Sequence, residues 1–331
     1  MKAAYFEKTG GPEVIRYGDL PTPAPKSGEV RVKVAAVALN PIDTYIRAGG
    51  VSMPLPMPFI TGCDLAGTVD TVGPAVTRFK VGDRVWGSNQ GLLGRQGTFA
   101  EFACVSEEYL YPTPPGITDI DVVALALTGI TAHLGLFRCA RLQAGETVFV
   151  QGGTGGVGSM VVQMAKAVGA RAIATVGSAE KAALCRSLGA DLALNYKSDD
   201  VPGALKTFTG GQGVNVWFET QREQNLIQIV ELTARRGRII VMAGRQSQPV
   251  LPVGPFYARD LSMFGFAMFN ATPEEQRVCA EDMNRWMVEK KLKPLVGRTF
   301  RLEETAAAHK FQEENTLHKS GTLAGKIVLT P

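Results

Sequence analysis

Along the first third of the chain, apolar and polar positions alternate in short runs. Val30, Val32 and Val34 are interleaved with Arg31 and Lys33, and a period of two sends successive side chains to opposite faces of a half-buried strand. Asn40-Pro41 then opens a helical turn that runs to Arg47. Asn caps a helix, and Pro at the first helical position lacks an N–H that would have no partner there. Pro54, Pro56 and Pro58 hold an extended loop that cannot be a central strand. Val81-Gly82-Asp83-Arg84-Val85 turns into a strand, and residues 97–105 make another. Short strands separated by turns predict a barrel-like β domain.

Past Pro112-Thr113-Pro114-Pro115-Gly116 the period changes, and residues 122–136 read as a helix. Strands at 147–151, 171–176, 214–218 and 238–243 then alternate with helices that include 179–188 and 224–234. Val157, Met160, Val161, Met164, Ala165 and Val168 recur at helical spacing after the first of these strands, a stripe that faces a sheet. This alternation predicts a doubly wound parallel sheet with helices on both faces. An apolar run at 261–269 reads as its edge strand. A long helix at 273–290 and a last strand at 326–329 leave no room for a third core, so the tail returns to the first domain. The fold class expected is α/β, with a β-rich domain from 1–122 and 270–331 and a doubly wound domain from 123–269.

The sharpest chemical signal is Val148-Phe149-Val150-Gln151-Gly152-Gly153-Thr154-Gly155-Gly156-Val157-Gly158. Gly153-x-Gly155-x-x-Gly158 fits the dinucleotide fingerprint, with a strand before it and an amphipathic helix after it. In that pattern Gly153 makes the tight turn, Gly155 lets a pyrophosphate reach the backbone, and Gly158 lets the helix pack on the strand. The N–H groups of Gly156, Val157 and Gly158 and the positive end of the helix then hold the phosphates. A glycine loop serving close packing alone is the alternative. The second cluster, Gly210-Gly211-Gln212-Gly213, precedes a strand and reads as a loop.

Chains that bind NAD place an acid about 20 residues further on for the ribose hydroxyls. Here that place reads Thr175-Val176-Gly177-Ser178-Ala179-Glu180-Lys181. Gly177 stands where the acid would be, and Ser178 and Lys181 suit a 2′-phosphate. Ser178 as a plain helix cap and Lys181 as a solvated charge is the other reading. The missing acid favours NADPH under both.

Composition narrows the classes without changing them. A chain of 331 residues is about two domains long, and 45% apolar with 20% charged residues is globular rather than disordered or fibrous. Glycine, at 37 residues, exceeds the roughly 7% expected. The 35 basic and 31 acidic residues are interspersed and sum to +4, which is no nucleic-acid footprint. Five cysteines at no ligand or redox spacing imply free thiols in a reducing compartment. Met1 to Lys8 lacks the apolar segment of a signal peptide. The uncharged stretch 122–137, broken by Thr128, Thr131 and His133, reads as too short and too polar to span a membrane. The expectation is a soluble, cytoplasmic protein whose partners are small molecules, not nucleic acid or membrane.

Asn40-Pro41-x-Asp43-x-Tyr45-x-Arg47-x-Gly49, Gly62-x-Asp64-x-x-Gly67, Val81-Gly82-Asp83-Arg84-Val85, the glycine run, Asn195-Tyr196 and Ser320-Gly321-x-x-x-Gly325-Lys326 together resemble the medium-chain dehydrogenase/reductase superfamily. Within it the whole chain resembles the zinc-free, zeta-crystallin-like NADPH:quinone oxidoreductases. The resemblance implies a GroES-like catalytic domain, a Rossmann domain and hydride transfer in the cleft between them. It implies that Asn40 and Tyr45 line the substrate and nicotinamide pocket, that Thr131 touches the nicotinamide ribose region, and that Tyr196 borders the 2′-phosphate. Gly244 falls beside the cofactor in the same comparison, and Lys319 is a further phosphate candidate. Asn40 as a helix cap and Tyr45 as a packed aromatic remain open beside these roles.

Alcohol dehydrogenases of the superfamily have Gly-His-Glu where this chain has Gly62-Cys63-Asp64, and they carry a four-cysteine lobe after the Gly-Asp-Arg-Val turn. Residues 86–97 here contain no cysteine, and His133, His309 and His318 form no ligand-spaced set. A catalytic zinc needs three protein ligands and a structural one four, so no metal is expected, and Cys63 and Asp64 read as core and strand-end residues. Without a Lewis acid to polarise an alcohol oxygen, reduction of a quinone or an α,β-unsaturated carbonyl is the easier chemistry. An enoyl or acryloyl thioester reductase and a non-catalytic NADPH-binding protein are the alternatives. Glu219-Thr220-Gln221-Arg222-Glu223 and Ala243-Gly244-Arg245 depart from the small residues usual in the family, so Arg222 and Arg245 either hold an anionic substrate or a cofactor phosphate, or stand solvated. The 261–269 edge invites pairing with a second copy, and the resemblance implies a homodimer joined there; a strand buried within one chain is the alternative.

Overall fold

The structure, a computed structural model, describes residues 1–318 and 320–331. The chain divides into two compact units, one of Met1–Leu127, Ala271–Val288 and Pro294–Pro331, the other of Thr128–Asn270 and Glu289–Lys293. The first boundary falls inside a helix, and Glu289–Lys293 goes with the second unit. The sequence pattern shows neither feature.

The first unit begins with β1 (Lys2–Phe6), β2 (Arg16–Asp19), β3 (Glu29–Leu39), α1 (Pro41–Arg47), β4 (Phe59–Ile60) and β5 (Leu65–Val72). It continues with β6 (Arg84–Gly87), β7 (Phe102–Ser106), β8 (Leu110–Pro112) and α2 (Asp119–His133), which runs across the boundary. Val30, Val32 and Val34 are buried along β3 as their alternation requires. Together with Leu39, Leu65, Val85, Phe99 and Leu110 they form one core, each such side chain contributing about 1.5–3 kcal/mol. The strand expected at 97–105 begins only at Phe102. Gly97 to Phe99 instead donates backbone N–H groups to Ile60 and Thr61, and a Cβ on Gly97 would meet the Ile60 carbonyl at 2.3 Å.

The second unit holds β9 (Thr147–Gln151), α3 (Gly156–Ala167), β10 (Arg171–Val176), α4 (Ala179–Ser187), β11 (Leu192–Asn195) and α5 (Val201–Phe208). After these come β12 (Val214–Glu219), α6 (Leu226–Leu232), β13 (Thr233–Val241), α7 (Val253–Ala258) and β14 (Ser262–Gly265). The strands form a six-stranded sheet in the order β11-β10-β9-β12-β13-β14, and every pairing in it is parallel. The chain leaves central β9 toward β10 on one side and later adds β12 on the other, so the strand order reverses at the end of β9. That reversal opens the crevice where such sheets bind ligands. Phe149, Ile173, Trp217, Ile229 and Ile239 pack its core.

Three expected elements are corrected here. The helix at 224–234 is only α6, because Asn225 caps it and Thr233 already pairs with Val214 as strand. The edge strand at 261–269 shrinks to β14, with Leu261 buried, Phe266 under the Arg138 guanidinium, and Met268–Asn270 in a single tight turn. The apolar stretch read as too short for a membrane extends over Asp119–Cys139, 21 residues with the length and apolarity of a span. Of its most apolar window 78% is buried within the protein, which accounts for its composition as core helix.

The chain closes in the first unit with α8 (Pro273–Val288), β15 (Val296–Arg301), α9 (Thr305–Thr316) and β16 (Lys326–Thr330). β16 runs antiparallel to β3, pairing Ile327 with Leu39 and Val328 with Ala38.

Candidate functional site

The second unit builds its site at the carboxyl ends of its strands. Between β9 and α3, Gly152 takes a positive φ of 72°, so the tight turn assigned to Gly153 belongs one residue earlier. Gly153 serves contact instead, since a Cβ there would meet Ala174 Cβ at 2.5 Å and Cys185 Sγ at 2.6 Å. On Gly158 a Cβ would strike the Gly152 carbonyl oxygen at 2.2 Å, which ties the first turn of α3 to the glycine loop. Gly155, the N-cap, brings no side chain to the helix mouth, and its Cβ direction meets only the Gly152 oxygen at 3.2 Å. The first N–H groups of α3, on Gly156, Val157 and Gly158, lack intrahelical partners by position. No acid stands in that first turn, so the positive helix end is left for an anion. The cradle fits a dinucleotide pyrophosphate.

Past β10, Ser178 caps α4 and its Oγ accepts from the Lys181 N–H at 3.3 Å. The cap reading of Ser178 therefore holds in the structure. Tyr196 lies over Gly177, where a Cβ would come within 3.0 Å of its hydroxyl oxygen. Burial pushes the Lys181 ammonium below its ordinary value, and the charge of Lys197 adds to the effect. Lys181 thus stands within the electrostatic reach of Lys197, past the end of β10. Lys197 was missed from sequence, although it directly follows the Tyr196 already singled out. Lys319 lies outside the described residues.

Arg222 and Arg245 are both exposed. Their loops follow adjacent β12 and β13 and are strapped together by Gln224, whose Nε2 donates to the Gln221 carbonyl at 2.6 Å and to the Ala243 carbonyl at 2.9 Å. Gly244, with φ of 81°, passes so close that a Cβ would meet the Arg222 carbonyl at 2.6 Å. Glu219, at the end of β12, accepts from Trp217 Nε1 and from the Gln221 N–H, and burial raises its carboxyl above the ordinary value. Thr131 is buried on α2.

In the first unit the residues around Asn40 form a buried ionic network. Asn40 Nδ2 donates to Asp64 Oδ2 at 2.8 Å and to the Ala38 carbonyl at 3.2 Å, and its Oδ1 accepts from Lys326 Nζ. Lys326 also donates to the Leu39 carbonyl at 2.7 Å. The Asn40 backbone N–H donates to Asp43 Oδ2 at 2.8 Å, and the Cys63 thiol donates to Asp43 Oδ1 at 3.0 Å. Ser88 completes Asp64 with a 2.6 Å bond. Burial pushes the Asp43 carboxyl up to about 7 and also raises Asp64 and Cys63. The same burial lowers Lys326, against the carboxylates that favour its charge.

Cys63 and Asp64 are therefore members of this network, not plain core residues. Both Asn40 amide hydrogens are engaged inside it, so the amide is held in one orientation with no donor left over. Tyr45, half-buried, follows on α1, the helix this network anchors at its first residue. Among the described residues no group of three or more His, Cys, Asp or Glu side chains is arranged to hold a metal ion.

A glycine turn at the central strand of a parallel sheet, opening onto a helix start, defines a dinucleotide-binding fold. Residues 26–115 match the alcohol dehydrogenase GroES-like domain, and 156–286 match the zinc-binding dehydrogenase family. The chain is 36% identical over 330 residues to a quinone oxidoreductase of Rattus norvegicus, covering 99% of this chain and 97% of the relative. It is 30% identical to a 2-haloacrylate reductase of a Burkholderia species, covering 100% and 99%. Among solved structures, Escherichia coli quinone oxidoreductase complexed with NADPH superposes with a TM-score of 0.86 at 26% identity, all of both chains being covered. An NAD-dependent alcohol dehydrogenase reaches 0.87 at 32% identity with the same coverage. The chain belongs to the quinone oxidoreductase family of the medium-chain dehydrogenases/reductases, and it is an NAD(P)-dependent oxidoreductase.

Proposed function

We propose that the protein is an NADPH-dependent reductase of quinones or α,β-unsaturated carbonyls that works without a metal. The observation that carries this reading is the end of β10. Gly177 replaces the acid that would bind ribose hydroxyls, Tyr196 lies over it, and Lys181, within the electrostatic reach of Lys197, opens the following helix. A partly desolvated ammonium stabilises a dianion more than it does a neutral hydroxyl. NADPH, when bound, supplies a hydride to an electrophilic carbon. The glycine turn and the start of α3 hold its pyrophosphate, and Thr131 packs by its ribose. Tyr45 orients the acceptor oxygen by its hydroxyl, and Asn40, locked by Lys326 and Asp64, fixes the start of the helix that presents Tyr45. Catalysis then rests on orientation.

Likeness to quinone oxidoreductases supports the neutral acceptor. A second reading, an anionic conjugated acid, is favoured by Arg222 and Arg245 on their strapped loops and by the likeness to the 2-haloacrylate reductase. Five free cysteines support a reducing, cytoplasmic setting. The exposed Phe264 on edge strand β14 supports a homodimer paired there; light scattering that returns only the 35.4 kDa monomer at micromolar concentration counts against it. The deciding experiment is steady-state oxidation of NADPH and NADH against a panel of quinones and neutral and anionic enones. Turnover preferring NADPH with a quinone or enone supports the reading. Turnover with a simple alcohol and NAD, abolished by chelation, overturns it.

A further inference from the structure

Tyr45, which orients the acceptor oxygen in the proposed function, stands on a helix of only seven residues, α1 (Pro41–Arg47). A helix that short has little stability of its own, so its orientation comes from what grips its two ends. The Asn40 network grips the start. The finish is gripped by Arg47, two residues past Tyr45. Its carbonyl accepts from the Gly10 N–H at 2.9 Å, and the Tyr45 carbonyl accepts from the Gly50 N–H at 2.8 Å. The Arg47 side chain, only 1% exposed, reaches α9, where its Nη2 donates to Glu313 Oε1.

α9 packs against α1. At about 3.6 residues per turn, Arg47 leaves the helix about 200° round from Tyr45. The two side chains therefore depart from opposite sides of α1. Whatever fixes Arg47 on α9 also fixes the rotation of α1 about its axis, and with it the bearing of the Tyr45 hydroxyl.

The pair is a costly way to gain stability. Among the described residues Glu313 is the one carboxylate paired with Arg47, and Nε and Nη1 of the guanidinium have no hydrogen-bond partner. His309, on the same helix as Glu313, is held neutral by its burial and by the Arg47 charge, so it supplies no counter-charge. A buried ion pair that leaves donors unsatisfied does not offset its desolvation, and apolar side chains of similar volume fill the same space without that cost. What the pair adds is direction, which a charge-assisted hydrogen bond has and an apolar contact lacks.

We propose that Arg47 and Glu313 are positioning residues for the reduction. They touch neither acceptor nor cofactor, and act through Tyr45 by setting the rotation of α1 so that the hydroxyl meets the acceptor oxygen. The proposal rests on the role given to Tyr45 above.

The test is a double-mutant cycle between Glu313→Gln and Tyr45→Phe. It is read as kcat and KM with NADPH and whichever of 1,4-benzoquinone and methyl vinyl ketone the wild type turns over faster. Rates are referred to sites counted by calorimetric NADPH binding, so that unfolded chains do not enter. Glu313→Gln should lower kcat about tenfold in the wild-type background and leave it unchanged in Tyr45→Phe, where there is no hydroxyl left to misplace. The Kd of NADPH should be the same throughout. The same cycle is run with Arg47→Met/Glu313→Leu, which leaves neither charge uncompensated and should melt near the wild-type temperature while losing turnover to the same extent. Equal losses with and without the Tyr45 hydroxyl, or full turnover in the doubly apolar variant, overturns the proposal and leaves the role of Tyr45 standing. Full turnover by Tyr45→Phe, or no turnover of either acceptor by the wild type, overturns that role and the proposal together.

Discussion

In the second unit, chemistry is presented at strand ends by backbone and by partly exposed charge: a glycine turn, the start of α3, and Lys181 with Lys197. In the first unit, Asp43, Asp64 and Lys326 are all buried and answer one another around Asn40. The first arrangement leaves its charge for a ligand to complete. The second is complete without one, and what it provides is a fixed orientation for α1. Charge near a site is therefore no single signal. Its burial and its partners decide whether it binds or positions.

The sharpest way to break this comparison is Lys326→Met. Removing one member of a buried charge cluster leaves the others uncompensated, at a cost of about 3–5 kcal/mol. Chemical denaturation should show that loss, and Lys326→Arg should recover part of it. A Met variant as stable as wild type would mean that the carboxyls are already neutral and the network is not ionic.

Acidity separates two groups within the first unit. Burial pushes His309 down to about 3, with the charge of Arg47 adding. The unfolded chain therefore takes up a proton near 6.5 that the folded chain refuses, and falling pH removes stability. Asp43 behaves in the opposite sense. Its carboxyl, raised to about 7, holds a proton that the unfolded chain releases down to about 4, so its contribution is full in acid and is lost as pH rises through 7. Between pH 7 and 5 each contributes about 2 kcal/mol, with opposite signs. Relative to wild type over that range, His309→Leu should gain stability on acidification, and Asp43→Asn should lose it. Denaturation midpoints that follow parallel pH curves in all three proteins would refute both assignments.

In the second unit the effects are smaller, because the charge is partly solvated. Lys181→Ala should weaken NADPH by about 1–2 kcal/mol and leave NADH unchanged. Calorimetry of both cofactors checks this, and equal losses for the two would remove the 2′-phosphate from Lys181. Smallest is Arg245→Ala, which should lower kcat/KM for an anionic enone against its neutral match by under about 1 kcal/mol. An unchanged ratio, there and in Arg222→Ala, leaves the quinone reading alone.

The same contrast explains what was legible in the sequence. β9, the glycine turn and α3 are contiguous, so strand period, glycine spacing and helical stripe all fall in one window, and β9 and β10 match their expected bounds. Even there, which glycine turns the chain was not legible, because Gly152 and Gly153 differ only in what surrounds them. The network around Asn40 left no such trace. Asn40, Cys63-Asp64 and Lys326 were each marked as family positions, yet nothing local says that they touch. They meet because β3 pairs in one register with β16, which brings Lys326, and with β5, which brings Cys63-Asp64, long-range facts that no spacing encodes. The end of the helix at 224–234 was lost for a similar reason, since Thr233 is claimed by a neighbouring strand.

The pairing of β16 with β3 also sets an order of events during synthesis. Lys326 bonds the Leu39 carbonyl across 287 residues of chain. The stretch 128–270 is fully translated, and free to fold as a sheet of its own, before the ribosome reaches the lysine that answers Asp64. At about 5–20 residues per second, the nascent first unit waits for roughly tens of seconds with the Val37–Leu39 end of β3 lacking its β16 partner and its acids uncompensated. That interval, rather than the finished molecule, is where a chaperone has an exposed edge to protect.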